Sequence, residues 1–503
     1  MGKDMKVMDE LRAFSTQLTD LSHIMSLLQW DQEVMMPPRG TKARASQLAA
    51  LSRIIHQRIV SPELRKLLDA AEDSRDTLPE VDRALVRVMR RQHDQNRKLP
   101  EPFVAEFSAL TSQALAIWVE ARQRSDYNFF KPLLQKIIRM SREKAEFLGY
   151  AEVPYDALLD LHEEGLLTAQ VTALFDRLKP ILIDVLSRVR QQSPHDPLQL
   201  QNFSVPEQID FSRQVLKVIG YDFDRGRQDR SAHPFSTSLG HDDRRVTNRY
   251  DPATVEFIFT ALHEGGHALY EQGVAPEFAG THLDEGISLG IHESQSRLWE
   301  NIIGRSRPFW QFFYPALQKA FPAQFNGLSA EDFYRAINII RPGFIRVEAD
   351  EVSYNLHVLI RFELETALID STLTVDDLPV LWQEKYGNYL DVSFAGVADA
   401  DAKGVLQDVH WAHGSFGYFP TYTIGNLAAA QFWDSYCRFD PDYRQTLASG
   451  NLKKIRDWLR ANIYSHGAVY TPEELLTKVT GEKLSEGYFL RYLNNKFRDG
   501  ETT

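Results

Sequence analysis

The segment Leu262-His263-Glu264-Gly265-Gly266-His267 sets two histidines four positions apart with a glutamate after the first, the pattern H-E-x-x-H. On an α-helix, positions i and i+4 share a face, so His263 and His267 can offer two imidazoles to one ion. Glu264 lies beside them and is not needed as a ligand. Two imidazoles and an adjacent carboxylate are what zinc-dependent peptide hydrolysis requires. The ion brings the pKa of a water to about 7, and the carboxylate takes the proton. The apolar run 255–262 (VEFIFTAL) supplies a buried helix to carry the motif. The two glycines weaken that helix by about 1 kcal/mol each, yet they also let a second helix or a substrate come close.

A hydrolytic zinc ion usually takes three protein ligands and keeps one position open. Glu271 follows His267 by one turn, but at 1.5 Å per residue it stands about 12 Å along the axis from His263 and cannot share an ion with both. The third ligand must come from another element. Candidates are His282, Asp284, Glu285, His292 and Glu293. A second helix is expected over 288–299, and a carboxylate from it, packed antiparallel, completes a set of two histidines and one glutamate. Glu293 is the choice. Glu285 ranks next but adjoins Gly286 in a loop. His292 would give a three-histidine set, and it suits an outer partner of the ligands better. A second His-Glu pair, His162-Glu163, has no histidine four residues later and reads as surface or packing.

These residues need a scaffold. A chain of 503 residues, 43% apolar and 25% charged, can bury a large core or several cores sharing a cleft. Apolar positions recur at three and four over Thr41–Ile59, with Thr41 as a possible cap, and over 81–97, 102–124, 132–148, Thr168–Gln191, 345–369, 378–389, 452–464 and 485–497. The best strand is 244–250 (RRVTNRY), just before the metal helix. The expected fold is mainly α: one helical unit over 1–503, with two lobes around a deep groove and a small β-sheet near the active site. A lobe boundary is placed at 220–251. The helices before Ser125 would form a wall or lid, and Trp30 to Pro37 is given no chemistry.

A net charge of -12 argues against nucleic acid as a main partner. The single cysteine, Cys437, excludes an intrachain disulfide and a zinc site of several thiolates, and favours a reducing compartment. Charges stand at Lys3, Asp4 and Lys6 where a signal peptide would be apolar. No run of about 18 apolar residues offers a membrane span. The expected location is cytoplasmic. A serine or cysteine route is not favoured: Cys437 has no evident partner and G-x-S-x-G is absent.

Further segments extend the metal motif. In order the chain holds His233-Pro234-Phe235, Asp243-Arg244-Arg245-Val246-Thr247 (D-x-R-x-T), the H-E-x-x-H, and His292-Glu293-Ser294 with Arg297. Ile345-Arg346-Val347-Glu348-Ala349-Asp350 (I-R-x-x-A-D) and Gly404-Val405-Leu406-Gln407-Asp408-Val409-His410-Trp411 (G-x-x-Q-D-x-H-W) follow. Over most of its length the chain thereby resembles the carboxypeptidase Taq family of metallocarboxypeptidases. That resemblance implies a helical, groove-containing fold similar to angiotensin-converting enzyme and the neurolysin-like oligopeptidases. It implies a zinc- or cobalt-dependent carboxypeptidase of broad specificity that disfavours a C-terminal proline, and a homodimer. It also makes Glu293 the third ligand. Manganese is a further possibility for a site of nitrogen and oxygen ligands.

A carboxypeptidase must hold the free α-carboxylate, a task suited to a bidentate arginine. Arg346 is the first choice, since its motif is the family's and a long helix is expected around it. Asp350, one turn on, would hold it in place, although the two could also be a plain ion pair. Arg245 is the second choice. The segment Phe416-Gly417-Tyr418-Phe419-Pro420-Thr421-Tyr422 is similar to the tyrosine-rich segment of the neurolysin-like enzymes. Tyr418 is assigned to the oxyanion, His410 to substrate contact, and Tyr422 is the reserve. The alternative for each is packing in the core or groove. His233 and Asp243 would shape the groove or the metal's surroundings, unless they only form the turn that Pro234 favours. The rivals are an oligoendopeptidase with the same metal site and a helical binding protein with a structural metal.

Overall fold

A computed structural model describes residues 2–191 and 200–497; residues 1, 192–199 and 498–503 of the unit read over 1–503 lie outside the described residues. The fold is mainly α, with one three-stranded sheet, as the periodicity predicts. Helices Thr41–Ile59 and Thr168–Gln191 have the expected bounds, and 81–97 and 102–124 become Glu80–Lys98 and Glu101–Arg124. Thr41 is not the cap. Gly40 holds that position, and the Thr41 hydroxyl donates back to the Pro38 carbonyl at 3.0 Å. The helix expected from 132 begins at Tyr127, where the Asp126 carboxylate accepts from Phe129 N at 3.2 Å, so Pro132 falls inside it.

The largest correction concerns 345–369. Helix Ser353–Ile369 occupies only the second part, and Arg346–Glu348 is a separate 3₁₀ turn. Asp350 causes the break. Its Oδ1 accepts from Val352 N and Ser353 N at 3.0 and 2.8 Å, and its Oδ2 from Ser353 Oγ and Arg341 N at 2.7 and 2.9 Å. A short acidic side chain that bonds to backbone N–H groups just ahead starts a helix and competes with one running through it.

In the sheet, β1 (Gln228–Arg230) and β2 (Ser236–Gly240) flank β3 (Asp243–Asn248), the strand expected over 244–250. β3 pairs parallel with β1 (Gln228 opposite Val246) and antiparallel with β2 (Ser236 opposite Val246), with a bulge between Ser238 and Gly240. Helix Glu256–Gly273 packs on β2 and β3.

Apolar packing divides elsewhere than at 220–251. One core extends from Ala114 to Leu493 and includes Tyr221, Val246 and Tyr250 inside that stretch. A smaller core joins the helices before residue 98 to Val274, Phe278, Leu283, Ala468 and Val469. The first helix, Gly2–Val34, reaches the sheet through Trp30, whose ring lies under the Arg245 and Arg227 guanidinium groups at 4.3 and 5.2 Å. Among the described residues no helix is long and apolar enough to cross a membrane.

Candidate metal centre and peptide-binding site

Helix Glu256–Gly273 carries the H-E-x-x-H, and helix Leu289–Arg297, capped by Ser288, crosses it. The contacts run in opposite chain directions, His263 meeting Glu300 while Glu271 meets His292, so the two segments are antiparallel as expected. Glycines allow the approach. A Cβ on Gly266 would stand 2.6 Å from the Gln295 carbonyl oxygen, and one on Gly425, in helix Pro420–Phe439, 2.6 Å from Glu293 Cγ. Gly266 thus lets the helix of Glu293 come close, whereas Gly265 faces the other way, where a Cβ would stand 2.7 Å from Ile219 Cδ1 and 2.8 Å from Leu216 Cδ2.

Donor atoms of His263, His267 and Glu293 all lie within 4.8 Å of one another. Glu293 Oε2 is 3.7 Å from His263 Nε2 and 3.6 Å from His267 Nε2. Ligands at 2.0–2.1 Å around a tetrahedral zinc ion would be about 3.4 Å apart, so this grouping fits a metal with little adjustment. Of the other candidates, two are bonded elsewhere and one is exposed. His282 bonds Ser15 Oγ at 2.7 Å, Asp284 bonds His241 and Arg244, and Glu285 is exposed.

The outer bonds decide which nitrogens a metal at this grouping would meet. His263 Nδ1 donates to Glu300 Oε2 at 2.8 Å, so in the neutral imidazole that metal binding requires, Nε2 is the acceptor. His292 Nε2 donates to Glu271 Oε1 at 2.9 Å, so its Nδ1 accepts from His267 Nδ1 at 2.6 Å, and His267 Nε2 is free as well. Arg244, almost fully buried, stands 3.1 Å from Glu271 and 2.9 Å from Asp284 and closes this chain of charges. Burial opposes ionisation of Glu271 and Glu300. For Glu271 the His292 hydrogen bond and Arg244 overcome it, and for Glu300 the Arg297 charge and His263 do so; both pKa values fall to about 2.

Glu264 is different. It is buried, and its desolvation, reinforced by the Glu293 and Glu300 charges against the pull of His263, pushes its pKa up to about 7. A carboxylate so poised can both take and return a proton near neutrality.

Beside the triad, Arg297 Nε donates to Glu293 Oε1 at 2.6 Å, and its guanidinium lies 4.4 Å from the centre of the Tyr354 ring. Tyr354 OH accepts from Arg346 Nη1 at 2.9 Å. Arg346 is held by Asp408, not by Asp350: its Nε and Nη2 donate to Asp408 Oδ1 at 3.0 and 2.9 Å. Asp408 Oδ2 accepts from the fully buried Arg361 at 2.6 Å. Two guanidinium groups share one carboxylate, which they hold well below the usual range although burial opposes it. Asp408→Ala leaves two buried cations without their anion, and is expected to destabilise the protein by about 3–5 kcal/mol. A lowered urea midpoint of the metal-free protein checks this, and an unchanged midpoint would contradict the pairing.

The Tyr422 ring lies 4.9 Å from the Arg346 guanidinium, and its OH is 3.2 Å from His410 Nε2. Tyr418 packs edge-on to both rings, at 5.4 and 5.2 Å. Burial, then the Glu293 charge, raises the Tyr418 pKa, so its phenol stays a donor. Burial, then the Arg346 charge, lowers that of His410 to about 3, so it is neutral. Arg245 is taken up by Asp243, with both bonds at 2.8 Å. His233 is exposed on the β1–β2 connection, where its carbonyl accepts from Ser231 Oγ at 2.7 Å.

Two residues escaped the sequence reading. Glu300 follows Glu293 by two turns, a spacing that could have drawn notice, but the π-helical turn Leu298–Ile303 intervenes. Asp408 stands in a quoted motif but was given no role. For Glu163, read as surface or packing, the structure shows packing: it is buried and bonds the start of the helix that carries Glu293.

Comparison with known proteins shows the family. The model for the carboxypeptidase Taq (M32) metallopeptidases matches residues 10–497. Thermostable carboxypeptidase 1 of Thermus thermophilus is 41% identical over 504 residues, covering 97% of each chain. Carboxypeptidase 1 of Bacillus subtilis is 39% identical over 484 residues, covering 96% of each. Among solved structures, the M32 carboxypeptidase of Deinococcus radiodurans superposes with a TM-score of 0.94 at 38% identity, covering 98% of this chain and 99% of the other. A carboxypeptidase from Pyrococcus furiosus gives 0.94 at 39%, with the same coverage. With a family match across nearly its whole length and relatives about 40% identical, the chain belongs to the carboxypeptidase Taq (M32) family of metallopeptidases.

Proposed function

We propose that this metallocarboxypeptidase releases single C-terminal residues from peptides, and that His263, His267 and Glu293 hold its metal. The observation that carries the reading is the convergence of His263 Nε2, His267 Nε2 and Glu293 Oε2, with Glu264 buried beside them. Bound there, a divalent cation supplies Lewis acidity that polarises a carbonyl and acidifies water. Zinc fits two imidazoles and one carboxylate, and cobalt or manganese can occupy the same donors.

Arg346 receives the peptide's α-carboxylate. Beyond its bonds to Asp408 and Tyr354 it retains N–H groups on both terminal nitrogens, where a planar carboxylate docks. Glu264 takes a proton from the attacking water and delivers it to the leaving amine. Tyr418 donates its O–H to the oxygen that gains charge at the tetrahedral stage. His410 and Tyr422 line the substrate's path as a neutral, hydrogen-bonded pair, His233 stands at an exposed edge, and Asp350 shapes the turn that presents Arg346. Specificity is broad with proline disfavoured, and the protein is a cytoplasmic homodimer, as the family resemblance and the sequence suggest. Neither nucleic acid nor membrane is a partner.

Chelation followed by reconstitution tests this reading. Activity on a free-acid peptide is expected to vanish with the metal and to return with zinc, cobalt or manganese, with products one residue shorter by mass spectrometry. Internal cuts would favour the oligoendopeptidase. Activity that survives full metal removal would contradict the proposal.

A further inference from the structure

Helix Leu289–Arg297 is gripped at its start by a short segment from far up the chain. Glu163, only 4% exposed, accepts from Ser288 Oγ at 2.8 Å and from Gly290 N at 2.9 Å. The His162 carbonyl accepts from Leu289 N at 3.4 Å. Three consecutive residues at the helix start are thus bonded to one dipeptide. Ser288 Oγ also accepts from Ile291 N at 3.2 Å, so the cap itself hangs on Glu163. The fit is close: a Cβ on Gly290 would stand 2.7 Å from Glu163 Oε2. One turn on lies Glu293.

The same dipeptide reaches the turn that bears Tyr418. His162 Nε2 is 3.3 Å from the Phe416 carbonyl, and the His162 ring packs edge-on to Tyr418 with centroids 5.2 Å apart. The backbones touch nearby, where a Cβ on Gly417 would stand 2.5 Å from the Leu158 carbonyl. The segment is anchored in turn by Asp160, which bonds Arg91 at 2.8 Å.

We infer that His162 and Glu163 are positioning residues that fix the turn bearing Tyr418 against the helix bearing Glu293. They thereby set the distance between the oxyanion donor and the metal. A buried carboxylate is costly unless well bonded. Here burial pushes the Glu163 pKa up to about 7 against the Ser288 and Gly290 bonds, and the positive end of the helix dipole favours its charge. Plain packing would be met by an apolar side chain at less cost. The inference rests on the metal-hydrolase reading above.

The test uses the full chain in four variants, Glu163→Ala, Glu163→Gln, Ser288→Ala and His162→Ala. Zinc Kd is measured against a competing chelator, Tm with and without zinc, and kcat and KM on a free-acid peptide at saturating zinc. Glu163→Ala is expected to raise the zinc Kd about 10- to 100-fold, as loss of an outer support typically does, and to shrink the zinc-induced rise in Tm. Glu163→Gln, which keeps an acceptor for Gly290 N, stays near the parent value, and Ser288→Ala moves toward Glu163→Ala. His162→Ala should leave the zinc Kd within about twofold and lower kcat about tenfold at nearly constant KM, because its side chain touches the Phe416–Tyr418 turn and not the helix of Glu293. Should Glu163→Ala fail to fold, Ser288→Ala and His162→Ala read the same two contacts. A zinc Kd within about twofold of the parent in each Glu163 and Ser288 variant that folds would overturn the inference, because packing lowers the stability of metal-free and loaded protein equally. If His263→Ala binds zinc as tightly as the parent, the site reading fails first and the inference with it.

Discussion

Glu264→Gln is expected to lower kcat by about 10²- to 10⁴-fold while the protein keeps its metal, the range for loss of a general acid–base group. The amide preserves the volume of the carboxylate. None of the three ligand side chains is altered, so metal content and Tm should stay close to the parent. What disappears is the proton acceptor whose pKa burial pushes up to about 7. A stopped assay with metal analysis of the same sample checks both halves. A variant that loses its metal would make Glu264 part of the ligand set. A variant of undiminished kcat would take Glu264 out of the chemistry.

Arg346→Ala is the second large effect. It is expected to reduce kcat/KM on free-acid peptides by about 30- to 1000-fold, equivalent to about 2–4 kcal/mol for a buried, hydrogen-bonded charge pair with the substrate. The loss should fall mainly on KM, since the carboxylate is bound in ground state and transition state alike. Asp408 keeps Arg361 as a partner at 2.6 Å, so this variant retains an anchored carboxylate and should fold. Equal kcat/KM in variant and parent would move carboxylate recognition to another group. Arg346→Lys is not expected to restore the parent value, because an ammonium cannot reproduce the planar fork that spans Asp408, Tyr354 and a ligand.

Local chemistry was the legible part of this protein. The i, i+4 histidines, the helix opened by Ser288 and the carboxylate of Glu293 are all set by short-range periodicity and capping, and the structure brings them together as expected. Resemblance to a family pointed to Arg346 before any contact could. The missing parts are those that depend on distant segments. Asp408 meets Arg346 across 62 positions, and Glu163 meets Gly290 across 127. No periodicity encodes such pairings. The helix expected through 345–369 failed for a local reason that the apolar pattern hides. Asp350 spends its carboxylate on backbone N–H groups, so the turn that presents Arg346 is separated from the helix behind it. For Glu163 the sequence leaves surface and packing open, and the structure shows packing, because burial is decided by distant segments.

The most direct measurement pairs one peptide with its C-terminally amidated twin in the metal-loaded protein, followed over time by mass spectrometry. The account predicts a ladder of single-residue losses from the free acid and no cleavage of the amide, because the amide offers Arg346 no anion. Cleavage of both peptides at internal bonds would contradict it.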